Sequence, residues 1–149
     1  MSKKHLHSIH VEHYKHTAGK ASERMPLPGV VKLSMSQNIG KPCNPLVKVG
    51  DDVKVGQLIG DVDAFVSCPI YSSVSGKVTA IEQKRSAIMG MDTYVVIETD
   101  GKQEVVEGIT VPEKPADLAA FVAEVRKSGI VGLGGASFPT HIKLNPKNL

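Results

Sequence analysis

The spacing of apolar residues changes character once along the chain. From Val30 to about Val106, apolar positions come in short runs broken by glycine. "VVKLSMS" (Val30–Ser36) alternates in part and predicts a first strand. Further short strands are predicted at Leu58–Val62, Ala64–Ser67, Ser73–Ile81 and Thr93–Glu98, punctuated by Gly56, Gly60, Gly76, Gly90 and Gly101. Gly50-Asp51-Asp52 reads as a hairpin signal. Strands this short, with turns this frequent, predict a small barrel or sandwich. After Pro112 the period lengthens. Leu118, Phe121, Val122 and Val125 fall at i, i+3, i+4 and i+7, one apolar face of a helix. Pro115 suits an early helical position, Asp117 the first turn, Arg126 and Lys127 the last, and Gly129 the C-terminal cap. Pro146 argues against helix running to the end of the chain. Residues 1–29 show neither period. They are polar, basic and histidine-rich, and predict an extended arm. The expected organisation is therefore an arm (1–29), a β domain (30–111), and a helix followed by a glycine-rich loop (112–149).

Composition narrows the core and the partners. Aromatics make up 4% of the 149 residues and Trp is absent, so Val, Ile, Leu and Ala must build the interior. The net charge of +3 is concentrated in the first 24 residues. That is too weak for a nucleic-acid footprint, and no aromatic stacking platform accompanies it. The N-terminus lacks the apolar core of a secretory signal. No stretch approaches the ~20 apolar residues of a membrane span. Two distant cysteines, Cys43 and Cys68, read as reduced thiols of a cytosolic protein.

The β region carries a chemical question. "VKVGDDVKVGQLIG" followed by "VSGKV" resembles the biotinyl/lipoyl carrier domain, in which two hairpins stack into a flattened barrel. A carrier needs a lysine at the intervening hairpin tip, as the attachment point. The tip here is Asp63-Ala64-Phe65-Val66, and no lysine occurs from Gln57 to Gly76. The fold resemblance survives without the carrier chemistry. Cys68, next to Pro69 in an apolar run, reads as a buried structural thiol. An iron–sulfur cluster needs about four thiolates, which two isolated cysteines do not supply. His10, His13 and His16, with His5 and His7 upstream, would share a helical face and could bind a metal. With nothing to cap such a helix, a solvated arm is the preferred reading.

The last motif is "GIVGLGGASFPTHIK" (Gly129–Lys143). Its small residues let backbone N–H groups converge on an anion, and Lys143 adds a point charge for a phosphate. It lacks the GK[ST] ending of a P-loop, and Ser137 breaks GxGxxG. With "TAGKASERMPLP", "LSMSQNIGKPCNPLVKVGDDVKVGQLIG", "FVSCPIYSSVSGKVTAIE" and "VVIETDG", this motif resembles the N-terminal part of the C subunit of the Rnf ion-translocating electron transport complex. It also resembles the flavin loop of the flavoprotein subunit of respiratory complex I. The resemblance implies a mainly β barrel-sandwich hybrid module, one amphipathic helix, and the opening glycine-rich loop of a truncated Rossmann-like α/β flavin-binding domain. It implies electron movement between NADH, FMN and two [4Fe–4S] clusters, with the clusters and most of the flavin domain beyond Leu149. The chain then reads as an N-terminal fragment, inactive by itself and holding none of these groups.

Carried over by motif, Gly132, Gly134, Gly135, Ala136, Phe138 and Thr140 form the cofactor loop, and Lys143 reaches the cofactor. Leu133 stands where the complex I pattern has Arg, and Ser137 stands where both families have Gly. "HVEHYKH" replaces an expected His-Pro-Pro run. The implied partners are other subunits of a membrane-bound electron transport complex or a soluble reductase. The implied location is cytoplasmic, including a peripheral place at the inner face of the cell membrane. The alternative is a non-catalytic docking or adaptor barrel without a carrier lysine.

Overall fold

The computed structural model describes residues 12–86 and 90–145. It is mainly β. Among the described residues seven strands form two antiparallel sheets: β1 (Val30–Ser34), β2 (Asn44–Pro45), β3 (Asp52–Val53), β4 (Leu58–Asp61), β5 (Ile70–Tyr71), β6 (Gly76–Ser86) and β7 (Gly90–Thr99). One sheet has the order β1-β7-β6-β3 and the other β2-β4-β5. Apolar residues of both sheets meet between them. Met35, Val53, Ile59, Ile70, Val78, Val95 and Ile97 are among the buried core, with Val31 and Leu33 packed against it. On β1 the alternation is simple: Val31 and Leu33 lean inward while Lys32 faces out and pairs with Glu82 at 3.1 Å. The two-layer barrel-sandwich arrangement expected from the turn spacing is the fold observed.

Side chains reset several predicted boundaries. The strand predicted at Ala64–Ser67 is a loop, because the Ser67 hydroxyl donates to the carbonyls of Val62 and Ala64 at 3.0 and 2.8 Å. The segment predicted as Ser73–Ile81 is divided. Ile70–Tyr71 is a short strand of its own, Ser72 turns the chain by donating to the Val74 carbonyl at 2.7 Å, and β6 then runs on to Ser86. The Gly50-Asp51 signal is a turn, closed by the Lys48 N–H donating to Asp51 Oδ2 at 3.0 Å. It carries the chain from one sheet to the other and makes no hairpin between paired neighbours. Gly76, read from the sequence as a turn residue, opens β6 opposite Thr99. Its φ is +155°, and a Cβ there would run into the Glu98 carbonyl, so only glycine lets the two long strands close at this point.

Helix α1 (Leu118–Lys127) starts after Pro115 and Asp117, both expected inside its first turn. Asp117 is its N-cap, accepting from the Ala120 N–H at 2.8 Å, and Pro115 lies before the cap. Ser128 is the C-cap, and Gly129 follows with a φ of 66°. A four-residue helix, α2 (Thr140–Lys143), was not legible in the sequence. The described arm residues 12–29 are mostly exposed and join the barrel where Thr99 Oγ1 donates to the Pro28 carbonyl at 2.7 Å. His13 and His16 lie outside any helix; His5, His7, His10 and Pro146 lie outside the described residues. Among the described residues no helix is long and apolar enough to cross a membrane.

Candidate functional site

The glycine-rich loop folds back on itself as a hairpin. Thr140 N–H donates to the Ile130 carbonyl and Gly132 N–H to the Phe138 carbonyl, both at 3.0 Å, with Val131 bridged to Pro139 between them. The hairpin brings together three of the residues named from sequence. Lys143 reaches back from α2 so that its Nζ would lie 2.8 Å from any Cβ at Gly132, and it sits 5.8 Å from the centre of the Phe138 ring. A side chain at Gly132 would displace the ammonium, which is the mobile end of Lys143. Lys143 forms no ion pair among the described residues.

The other named residues have different places. Gly134 and Gly135 stand at the exposed tip, with nothing within 4 Å of a Cβ. Ala136 turns its carbonyl to the barrel and accepts from the Ile39 N–H at 3.0 Å. Thr140 begins α2. The Gly132 N–H is consumed within the hairpin. The N–H groups of residues 133–136 have no hydrogen-bond partner among the described residues. Ser137 has a φ of 52° in the left-handed region. The glycine expected there answers a backbone demand.

The barrel holds this loop from below. Arg126, from the last turn of α1, makes a two-pronged ion pair with Asp61 of β4, at 2.8 and 3.3 Å, and also donates to the Val62 carbonyl at 3.3 Å. Tyr71 Oη donates to the Lys127 carbonyl. Gly129 packs so closely on Pro69 and Tyr71 that a Cβ would come within 3.1 Å of the Pro69 carbonyl oxygen. Hydrogen bonding to Asp61 raises the Arg126 pKa further, so the guanidinium is always charged. Burial raises the Tyr71 pKa, and the Asp61 charge adds to it, so the phenol stays a donor.

Beneath α1, His141 of α2 is 9% exposed and its Nδ1 has no partner. Burial, then the Arg126 charge, pull its pKa below the ordinary 6.5. It lines a cavity of about 440 Å³ with Leu118, Val122 and Arg126. The apolar face of α1 is only partly covered: Val125 is buried, whereas Leu118 and Phe121 are 50% and 43% exposed. None of Arg126, Asp61, Tyr71 or His141 was named from sequence as a site residue. Arg126 is legible only as a cation at a helix end, and its partner is 65 residues away.

Cys43 and Cys68 are buried in the barrel, where Cys43 Sγ donates to the Cys68 carbonyl at 3.1 Å. Burial and the Asp61 charge push the Cys43 pKa up to about 11, and burial raises that of Cys68. Protonated, enclosed thiols are unsuited to hold an iron–sulfur cluster. Among the described residues no three His, Cys, Asp or Glu side chains are grouped to hold a metal ion.

Comparison with known proteins adds two findings. The family model of the RnfC barrel sandwich hybrid domain matches residues 4–102. The chain is also 46% identical, over 134 residues, to the C subunit of the proton-translocating ferredoxin:NAD(+) oxidoreductase complex of Clostridium ljungdahlii, covering 89% of this chain and 29% of that protein. It is 46% identical over 121 residues to the C subunit of the Na(+)-translocating complex of Acetobacterium woodii, covering 78% and 27%. The C subunit of the ion-translocating oxidoreductase complex of Rhodobacter capsulatus is 35% identical over 144 residues, covering 92% and 27%. The chain thus spans under a third of the length of these relatives.

Proposed function

Because the chain belongs to the RnfC family, through its barrel sandwich hybrid domain, we propose that it is the nucleotide-input part of an electron-transfer protein, with the barrel serving as the platform for the glycine loop. The electron-transfer reading rests on the relatives, which are subunits of ferredoxin:NAD(+) oxidoreductase complexes. The observation that carries the site is Lys143. Its ammonium lies against Gly132 without a carboxylate partner among the described residues, and the next four residues of the loop carry N–H groups with no acceptor there.

These residues fit the phosphate end of FMN. Leu133–Ala136 offer N–H donors and Lys143 offers charge, with the left-handed Ser137 turning the chain between them. When bound, FMN supplies a carrier that takes two electrons from a nicotinamide and releases them singly. The chain's own residues position it: Arg126, Tyr71 and the Ile39 N–H fix the loop to the barrel, so that its donors are set before the anion arrives. The [4Fe–4S] clusters belong, on this reading, to the length of the relatives that this chain does not match. The partners are the other members of such a complex, or a soluble reductase. The location on this reading is cytoplasmic, including a peripheral place at the inner face of the cell membrane.

The test is flavin titration by fluorescence on a full-length family protein carrying this segment. Lys143→Ala should weaken FMN or nucleotide binding by roughly 1–3 kcal/mol, the scale of a lost charge-assisted hydrogen bond. Unchanged affinity for both would remove the lysine from the site.

A further inference from the structure

Two buried oxygens at one end of the barrel have no partner: Asp92 Oδ1 and Ser36 Oγ. Asp92 is 6% exposed. Its other oxygen accepts from the Ser34 hydroxyl at 2.6 Å, which fixes the carboxylate plane. The Ser36 N–H donates to the same Ser34 hydroxyl at 2.9 Å, so both orphans are set by one residue at the end of β1. Asp92 and Ser36 line a pocket of about 430 Å³ together with Asn38, Ile39, Tyr94 and Ala136. Ala136 belongs to the glycine loop and is bonded to Ile39 at 3.0 Å. The pocket therefore runs from this end of the barrel to the loop.

The lining defines the ligand chemistry. A buried carboxylate oxygen needs a donor, and a hydroxyl beside it can give or accept a hydrogen bond. Ile39 adds apolar surface, and the Tyr94 ring adds more while its hydroxyl is directed to the Asp92 carboxylate. A metal ion would need more ligands than this one carboxylate, and no such group occurs among the described residues. Adjacent hydroxyls on a carbon chain match all three features: one donates to Asp92 Oδ1, the next bonds Ser36 Oγ, and the carbons lie on the apolar surface. Carboxylates hold ribose hydroxyls in this way in dinucleotide sites. The volume lies within the ~300–1,000 Å³ of ligand pockets.

We propose that this pocket binds the vicinal hydroxyls of a phosphorylated sugar or sugar alcohol, whose phosphate is held by the glycine loop. The inference rests on the phosphate reading of that loop and extends it. The barrel, through Asp92 and Ser36, becomes a wall of the nucleotide site. The hydroxyls come from the ribityl chain of FMN or from a ribose of NADH.

The experiment is an NMR titration of isotope-labelled residues 1–149 with FMN, riboflavin, NADH and inorganic phosphate at millimolar concentration. FMN or NADH should shift two groups of amides together: Ser34–Asn38 with Asp92–Tyr94, and Gly132–Ala136. Ser36→Ala should weaken that ligand about tenfold, the scale of one lost hydrogen bond to a ligand hydroxyl, and leave the phosphate response of the loop unchanged. Riboflavin shifting the barrel group identifies the ribityl source; NADH alone doing so identifies the ribose. Asp92→Asn, which keeps the side-chain shape, serves as second variant should Ser36→Ala melt early. Nucleotide shifts confined to the loop, with Ser36→Ala and Asp92→Asn as wild type, overturn the hydroxyl site and leave the loop reading standing. Shifts confined to the barrel group keep the hydroxyl site and overturn the loop reading. Silence in both groups overturns both.

Discussion

Two residues of the loop region are in states their chemistry resists. Ser137 holds a φ of 52°, where a Cβ crowds the following carbonyl. Replacing it with glycine removes that strain at the cost of a more flexible unfolded chain. Ser137→Gly should therefore raise stability by about 0.5–1 kcal/mol, read from the midpoint of urea unfolding. His141 is buried with its pKa lowered, by desolvation first and then by Arg126. The folded state resists a proton that the unfolded state accepts. The stability from a neutral His141 is complete above its ordinary 6.5 and is lost as pH falls through the lowered folded value. Thermal unfolding should show a downward step in midpoint below that pH, and His141→Asn should reduce the step. An unchanged pH profile in the variant would remove His141 as its source.

At the scale of elements, α1 is held to the barrel by polar clamps more than by its apolar face. Leu118 and Phe121 stay half exposed, while Arg126 grips Asp61 and Tyr71 grips the Lys127 carbonyl. A partly buried, bidentate pair is stronger than a surface ion pair, and removing one partner leaves the other uncompensated. Arg126→Met should cost about 1–3 kcal/mol. The loss should fall on the helix and loop before the barrel. Hydrogen exchange is the measurement: faster exchange across α1 with unchanged protection in β6 and β7 is the expected pattern. Equal loss in both would mean that the helix and barrel unfold as one unit. The helix itself was legible apart from its first turn, because its period of apolar positions and its basic last turn are local signals. The Ala64–Ser67 loop was not legible. Its composition suits a strand, and the hydroxyl of Ser67 instead closes a turn.

For the whole molecule, the proposed site is open at the loop tip, where Gly134 and Gly135 have nothing within 4 Å of a Cβ. A phosphate held by a loop and one lysine lacks the walls that bury an isoalloxazine, and ligand pockets normally bury about 70–90% of their ligand. Residues 1–149 should bind FMN weakly or undetectably by fluorescence titration, and a full-length family protein should bind it clearly. Tight binding by these residues alone would show that no further wall is required. The uncovered face of α1 and the cavity at His141 mark where such a wall could pack.

The sequence by itself determined the two-layer β domain, the amphipathic helix and the family, because short strands, glycine turns and helical spacing are written in neighbouring residues. It also marked the loop residues that the hairpin brings together, Gly132, Phe138 and Lys143. Only the tertiary structure decided which backbone donors remain available, that Gly76 closes a strand pair, and that Ser137 is strained. It alone set Arg126 on Asp61 and left one Asp92 oxygen without a partner inside the barrel end. The physical reason is range. These features arise where segments distant in sequence meet, and the hydrogen bonds made or left unmade there depend on packing that no local pattern encodes.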